Sequence, residues 1–403
     1  MKRLKVLHIN TLDNFGGAAQ VAVDLLKHVD ADSHLVVLLK STDNPKIVRF
    51  KKNLLDKIFV LFDKIFWKLG RIKSFRAHLS LDNVFNFTYS KLKKMKEYRE
   101  ADIIHLHNLH GGYFDFSGLE KIAMEKKIVW TLHDMWAMTG GEAYIFENEN
   151  YKKGIGFTPY IKDYPMLNPL IDRRQHFLEK KKKIYAKIAD SITIVPVSEW
   201  LFKCFKEAYV YDPKLKLRCI QNGIDTGIFR NNTIRTWLKP RILFFNIDIP
   251  FKGRHIFTNI LDDIKHEFDL YVVGKQLKNE MTYTHFDYLQ DRTALSIVYN
   301  QVDILIFPSQ AENFPLTVLE AMACGVCVIA SDTGGIPEML DNSCGSLFIN
   351  SDEKSLLNKI ESSLADLKLV REKGKLAEKR VNENFTIEKN SNAYLELYHE
   401  IFK

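Results

Sequence analysis

Glu312 and Glu320 stand eight positions apart within Val302 to Glu338, VDILIFPSQAENFPLTVLEAMACGVCVIASDTGGIPE. Val302 to Phe307 is a short continuous apolar run, the pattern of a strand buried on both faces. Pro315 suits the first helical position, where its missing N–H costs nothing. Leu316, Leu319, Met322 and Ala323 supply an apolar stripe, and Gly325 supplies the stop. Backbone N–H groups at the helix start, around Leu316 and Thr317, would meet a phosphate. Glu320 lies about 7 Å along the helix from Pro315 at 1.5 Å per residue. A diphosphate at the helix end therefore has a carboxylate on each side, and each can accept a pair of hydroxyl hydrogens. Taken alone, the two glutamates are also what a solvated loop residue and a helix-favouring residue look like.

Other residues carry chemistry at strand ends. Lys252-Gly253 lies in the loop after Arg241–Phe245 and offers a point charge for a diphosphate. It is equally the composition of a solvated turn. His133 sits where the strand Ile128–Leu132 ends, near neutral at cell pH and able to hydrogen-bond a hydroxyl; the alternative is a histidine satisfied by Asp134. Gly16-Gly17 follows the first strand, Leu4–Ile9, and reads either as an ordinary tight turn or as backbone that approaches a ligand closely. The spacing is not GxGxxG, so the dinucleotide fingerprint fails. His105, His107 and His110 follow Ala101 to His107, another buried strand; their spacing fits neither a zincin helix nor a zinc knuckle and suggests a loop lining a cleft. Asp30-Ala31-Asp32 follows a helix instead of a buried strand and is rejected as a metal site. Cys324 and Cys327 form a lone CxxC without a second pair, so Cys327 reads as a buried small hydrophobe.

The elements that must position these residues alternate strand and helix, the signature of parallel sheets. The 403 residues suffice for two domains, and 46% apolar content gives material for two cores. No run of about 18 or more apolar residues occurs, and MKRLKVLHINTL reads as a first strand in preference to a signal peptide. Five cysteines without a signal suggest reduced thiols and a cytoplasmic location. Charge is uneven: Lys46 to Arg76 holds ten Lys/Arg against two Asp, a net of +8 that equals the net charge of the chain. Lys51, Lys52, Lys57, Lys64 and Trp67 belong to an aromatic-rich amphipathic segment there, the pattern of a helix lying on an anionic membrane surface. A core helix with solvated lysines is the alternative, and no nucleic-acid motif accompanies the patch. Glu179 to Lys183 reads as the solvated face of a helix, and Leu395, Tyr398 and Ile401 as the packing face of the last one.

Glu312, Asn313, Phe314, Pro315, Leu316, Glu320, Ala321, Met322, Ala323, Gly325, Gly334, Gly335 and Glu338 resemble the E-x7-E region of the retaining glycosyltransferases of family GT4. Thr131 to Gly141, TLHDMWAMTGG, resembles a bacterial subgroup that makes capsule, colanic-acid-like and O-antigen polysaccharides. The resemblance implies the GT-B fold: two doubly wound, Rossmann-like parallel-sheet domains facing across a cleft. Cys219 to Ile224 with Asp225 is similar to the family's crossover. It sets an acceptor domain at 1–222, a nucleotide-sugar domain at 223–385, and a helix crossing back at 386–403. The implied reaction moves a sugar from a UDP- or GDP-linked donor with retention and without metal or other cofactor. The implied acceptor is a lipid-linked glycan or oligosaccharide, handled at the inner face of the cytoplasmic membrane. By resemblance Glu320 holds the ribose, Glu312 and His133 contact the sugar, and Lys252 contacts the phosphates. Gly16 and Gly17, with Asn313, Phe314, Pro315, Leu316 and Thr317, complete the donor site. The chain departs from the pattern at Ile247, where the family commonly has an Arg; Arg254 is a candidate replacement. It also lacks the cysteines that often follow Gly141 in the subgroup, although Tyr164, Pro165 and Asp172 are kept. Rival readings are a nucleotide-sugar epimerase, a phosphorylase, or a noncatalytic membrane-surface scaffold.

Overall fold

Short runs of β-branched and apolar residues build two parallel sheets, each buried on both faces by the helices that connect its strands. A computed structural model describes residues 3–50, 88–110, 113–146, 148–156, 171–277 and 281–403. Lys51, Lys52, Lys57, Lys64 and Trp67, and Tyr164 and Pro165, lie outside them. The chain divides into two units, Met1–Ile220 with Ser391–Lys403, and Gln221–Asn390.

The first unit contains β1 (Lys5–Leu12), β2 (Asp32–Leu39), β3 (Ile47–Arg49), β4 (Ile103–Leu106), β5 (Lys127–Leu132), β6 (Ile192–Pro196) and β7 (Lys216–Leu217). Their order is β3-β2-β1-β4-β5-β6-β7, and the direction of winding reverses between β1 and β4. Register there sets His8 opposite His105 and Ile9 opposite Leu106. The second unit contains β8 (Arg241–Asn246), β9 (Asp269–Gly274), β10 (Tyr283–Phe286), β11 (Ile304–Phe307), β12 (Cys327–Ser331) and β13 (Gly345–Phe348). Their order is β10-β9-β8-β11-β12-β13, with the reversal between β8 and β11. In such sheets ligands bind outside the carboxyl ends of the strands at the reversal. Those ends lead into the Gly16–Gly17 turn and His107 in one unit, and into Lys252 and Glu312 in the other.

Alternation along the strands builds the core. Ile242 and Phe244, Ile304 and Ile306, and Cys327 and Ile329 face one side of the second sheet, against Ile256, Phe257 and Ile260 of the helix Arg254–Ile260 and Leu356 and Ile360 of the helix Glu353–Leu364. Each such side chain contributes about 1.5–3 kcal/mol by burial. Cys327 is one of them, and burial pushes its thiol up to about 12. Helix starts follow local chemistry. Ser198 accepts from the Leu201 N–H at 3.0 Å, as its place before Glu199 predicts.

Three readings of the sequence change. Pro315 is the residue before the helix Leu316–Ala323, in extended backbone (φ −71°, ψ 125°), and not its first helical residue. The final helix, Ile387–Phe402, buries Tyr394, Leu397 and Tyr398, while Leu395 and Ile401 are only partly covered; three residues per step drifts off a 3.6-residue helix within two turns. Lys181, in the midst of the charge run, is 2% exposed. Its ammonium donates to the carbonyls of Trp136 and Thr139, the latter at 2.8 Å, and sits 3.9 Å over the Trp136 ring. Asp30, by contrast, is an exposed partner of Arg3, and Asp32 opens β2.

Candidate active site

In the second unit, β11 delivers the chain into Pro308–Pro315, and the helix Leu316–Ala323 leaves from there. Its first N–H groups, at Leu316 and Thr317, have no carbonyl one turn back to donate to, so they are disposed toward an anion. Asn313, Phe314 and Pro315 are buried, which holds the loop in one shape. Asn222 donates to the Phe314 carbonyl at 2.9 Å, and Phe385 packs edge-on to the Phe314 ring at 5.6 Å. Gly334 completes the fixing. Its φ is +58°, and a Cβ there would lie 1.7 Å from the Glu312 carbonyl oxygen, so only glycine lets the Asp332–Gly335 loop close on Glu312.

Glu312 is 6% exposed and meets the Lys252 ammonium at 2.5 Å. Lys252 arrives from the other side of the reversal, on the short turn Pro250–Lys252 after β8. The turn closes because Gly253 has φ +71° and no Cβ to strike the Pro308 carbonyl, which would be 1.8 Å away. The two residues assigned separately to phosphate and sugar therefore form one ion pair. Glu320, 8% exposed, accepts from the Tyr299 hydroxyl at 3.2 Å. Tyr299 ends the helix Arg292–Tyr299 and is fully buried, so it fixes the carboxylate from beneath. Arg254 pairs with Asp248 at 3.2 Å, and Lys275 pairs with the same carboxylate. All three line a cavity of about 530 Å³ at the carboxyl ends of β8 and β9. Ile247 is partly buried, its N–H bonded to the Phe245 carbonyl.

In the first unit, Gly16 (φ +84°) and Gly17 lead into the helix Gly17–His28, and nothing stands within 4 Å of where their Cβ atoms would be. His133 follows β5, but Asp134 does not satisfy it. Asp134 bonds His110 at 3.0 Å and accepts the Trp136 N–H at 2.9 Å, while His133 Nε2 meets His107 Nδ1 at 3.0 Å. His107 Nε2 meets His8 Nδ1 at 3.1 Å. His105 is a strand residue bonded to the Tyr398 hydroxyl at 2.5 Å and to Thr131 at 2.7 Å. Of the three histidines read as a loop, His105 belongs to β4, whereas His107 and His110 follow it; His8, His105 and His107 are at most 1% exposed, with ring nitrogens within 4.8 Å of one another. Burial holds all four rings neutral, pushing His8 down to about 3, His133 to about 4, and His105 and His107 well below the ordinary range. Burial also pushes His110 down, but the Asp134 carboxylate more than offsets it and leaves the imidazole raised.

Tyr299, Asn222, His8, His107 and Lys181 escaped the sequence reading as supports. The N-G-I-D run containing Asn222 was visible, and so was the alternation that turns His8 and His105 to one side of the sheet. Nothing local marks Tyr299.

Two doubly wound parallel sheets, of seven and six strands, are the architecture of the GT-B glycosyltransferases. The chain belongs to glycosyltransferase family 4: the model of that family matches residues 15–227, and the model described as glycosyl transferases group 1 matches residues 239–366. A putative colanic acid biosynthesis glycosyl transferase of Escherichia coli, WcaC, is 27% identical over 259 residues, 60% of this chain and 63% of that one. The N,N'-diacetylbacillosaminyl-diphospho-undecaprenol α-1,3-N-acetylgalactosaminyltransferase of Campylobacter jejuni is 33% identical over 175 residues, 41% of this chain and 46% of that one. The matches thus span less than two thirds of the length of either relative. Anabaena HepE, solved with UDP-glucose, shares the fold with a TM-score of 0.64 at 15% identity over 99% of this chain and 100% of its own.

Proposed function

We propose that this glycosyltransferase moves a sugar, with retention of configuration, from a nucleoside-diphosphate donor to a lipid-linked glycan in bacterial surface polysaccharide synthesis. The observation that carries the donor side is the Lys252–Glu312 pair beside the start of the helix Leu316–Ala323, with Glu320 held by Tyr299. The helix N–H groups and Lys252 stabilise the departing diphosphate, which needs no divalent metal on this reading. Glu312 and His133 orient the sugar, and Glu320 holds the ribose through paired hydroxyls. The leaving phosphate oxygen takes the acceptor proton on the same face, so the new bond forms where the old one breaks.

The UDP-glucose bound by HepE supports a nucleotide-sugar donor. A lipid acceptor is supported by the undecaprenol in the C. jejuni relative's name and by the basic Lys46–Arg76 segment. Among the described residues no helix is long and apolar enough to cross a membrane, so contact with a membrane on this reading is at its surface.

Calorimetric titration with UDP, GDP and ADP, in chelator and with or without common sugars attached, tests the donor site. One nucleotide should bind at micromolar strength and be weakened by Glu320→Ala; no binding by any of them would overturn the reading. For the surface contact, charge reversal at Lys51, Lys52, Lys57 and Lys64 should abolish binding to vesicles of anionic lipid, and unchanged binding would remove that part.

A further inference from the structure

His110 differs from the sealed histidines of the first sheet, because its side chain is 39% exposed. It follows β4, on the edge where the winding reverses between β1 and β4. Ligands of open α/β sheets bind along that edge. The backbone there is tied down: the Thr11 hydroxyl, near the end of β1, donates to the His110 carbonyl at 3.0 Å. The ring is held separately, with Nε2 at 3.0 Å from Asp134 Oδ2. Asp134 follows β5 and is itself fixed, since its other oxygen accepts the Trp136 N–H at 2.9 Å.

Burial raises Asp134, but the charge of His110 and the hydrogen bonds from His110 and Trp136 more than offset it and keep the carboxyl below its ordinary range. An ionised carboxylate only accepts, so the proton of the contact sits on His110 Nε2. The neutral ring then has its bare nitrogen at Nδ1. That atom is open to solvent and has no hydrogen-bond partner among the described residues. Of the charged groups that act on the ring, Asp134 makes the nitrogen more basic and the Lys181 ammonium opposes it. A carboxylate on one nitrogen and an open position at the other is an oriented imidazole ready for a ligand. A bare nitrogen needs a ligand that brings a proton. A sugar hydroxyl brings one, and an ionised phosphate does not.

We infer that His110 contacts the acceptor of the transfer, taking a hydroxyl of the acceptor glycan on Nδ1, and that Asp134 is the positioning residue that holds the ring for it. This rests on the proposed function, which gives the nucleotide to the second unit and His133 to the donor sugar, and so leaves the His110 edge to the acceptor. The hydroxyl is not the attacking one. The attacking hydroxyl gives its proton to the leaving phosphate, and no proton moves to His110. With one hydroxyl fixed, the acceptor sugar presents another to the reacting carbon in a set orientation.

The full-length chain is assayed for transfer from the sugar nucleotide that calorimetry selects to a lipid extract of the cells that make the protein, which carries their lipid-linked glycans. His110→Gln keeps a donor for Asp134 and removes the Nδ1 acceptor. It should raise the apparent KM for the extract about tenfold, the loss of one hydrogen bond, with kcat and the KM for the sugar nucleotide within about twofold. An unchanged KM for the extract in the folded variant overturns the inference. A rise for the sugar nucleotide instead would put His110 on the donor and overturn it too. Labelling with 15N at histidine reports which ring nitrogen is protonated, and His110→Gln assigns the signal. At pH 9 wild-type His110 should be a neutral Nε2–H ring; an Nδ1–H ring overturns the inference whether or not a variant folds. Asp134→Asn offers an amide N–H to Nε2 and should turn the ring over to Nδ1–H, and an unmoved ring would remove the positioning role of Asp134. A wild type that transfers nothing to the extract fails the proposed function and takes the inference with it, whereas transfer with an unmoved KM in His110→Gln fails the inference alone.

Discussion

Lys252 and Glu312 hold each other at 2.5 Å, so neither acts as an independent group. On the proposed function, an incoming diphosphate competes with Glu312 for the ammonium, and the carboxylate is then turned toward hydroxyls. Lys252→Ala and Glu312→Gln should each lower kcat by about 10²–10³-fold, the scale of losing one charged contact to a developing anion. Because the two act through one pair, the double variant should cost little more than the worse single one. Steady-state kinetics showing multiplied losses would mean that they work separately. Tyr299 belongs to the same scale. Tyr299→Phe removes one hydrogen bond from Glu320, worth about 1 kcal/mol, and should weaken nucleotide binding about fivefold by calorimetry. Glu320→Ala should weaken it further.

At the scale of the element, the helix Arg174–Ile188 holds the Trp136–Thr139 turn through Lys181, whose ammonium serves two carbonyls beneath the aromatic cluster of Phe116, Trp130, Trp136 and Tyr185. Burial pushes Lys181 down to about 7, against the raising pull of Glu142 and Asp134, from an ordinary value of 10.5. Between those two values the unfolded chain binds the proton and the folded one gives it up, so stability from this residue rises with pH across that window. Lys181→Met should flatten the rise. It should also lower the unfolding midpoint at pH 7, because two buried carbonyls lose their donor at about 1–3 kcal/mol each. Urea titrations of both proteins at pH 7 and pH 9.5 measure the two effects, and an unchanged pH slope would place the Lys181 proton elsewhere.

For the whole molecule, the buried His8, His105 and His107 and the partly buried His133, all held neutral, concentrate acid sensitivity in one unit. His8 at about 3 and His133 at about 4, with His105 and His107 also lowered, refuse protons that the unfolded chain accepts below about pH 6.5. Stability therefore falls as pH drops through that value, by about 1 kcal/mol per ring at pH 5.5. His110, raised by Asp134, works in the opposite direction and offsets part of one ring. All these groups lie in the unit Met1–Ile220 with Ser391–Lys403. Calorimetric scans from pH 7.5 to 5.5 should show that unit's transition moving down toward or below that of Gln221–Asn390. Two transitions shifting in parallel would contradict the assignment.

The strands and the helix Leu316–Ala323 were legible in the sequence because a strand buried on both faces writes itself as an unbroken apolar run. Leu4–Ile9, Ile128–Leu132, Leu270–Gly274 and Cys327–Ala330 each came out within a few residues of the strand observed. The family was legible too, since the Glu312–Glu338 stretch carries its residues at fixed spacing. Short strands such as β10 and β13 carry too few apolar residues to announce themselves. Contacts made across the sheet left no local trace at all. Lys252 and Glu312 are 60 residues apart, and His8 and His107 are 99 apart. Sequence spacing assigned His105 to a loop and Lys181 to solvent. The tertiary structure buried them instead, because parallel register sets His8 beside His105 and helix packing sets Lys181 on two carbonyls. Local pattern determined which elements form; only the packed sheets decided which charges pair and which imidazoles stay neutral, since those depend on neighbours that the chain brings together from afar.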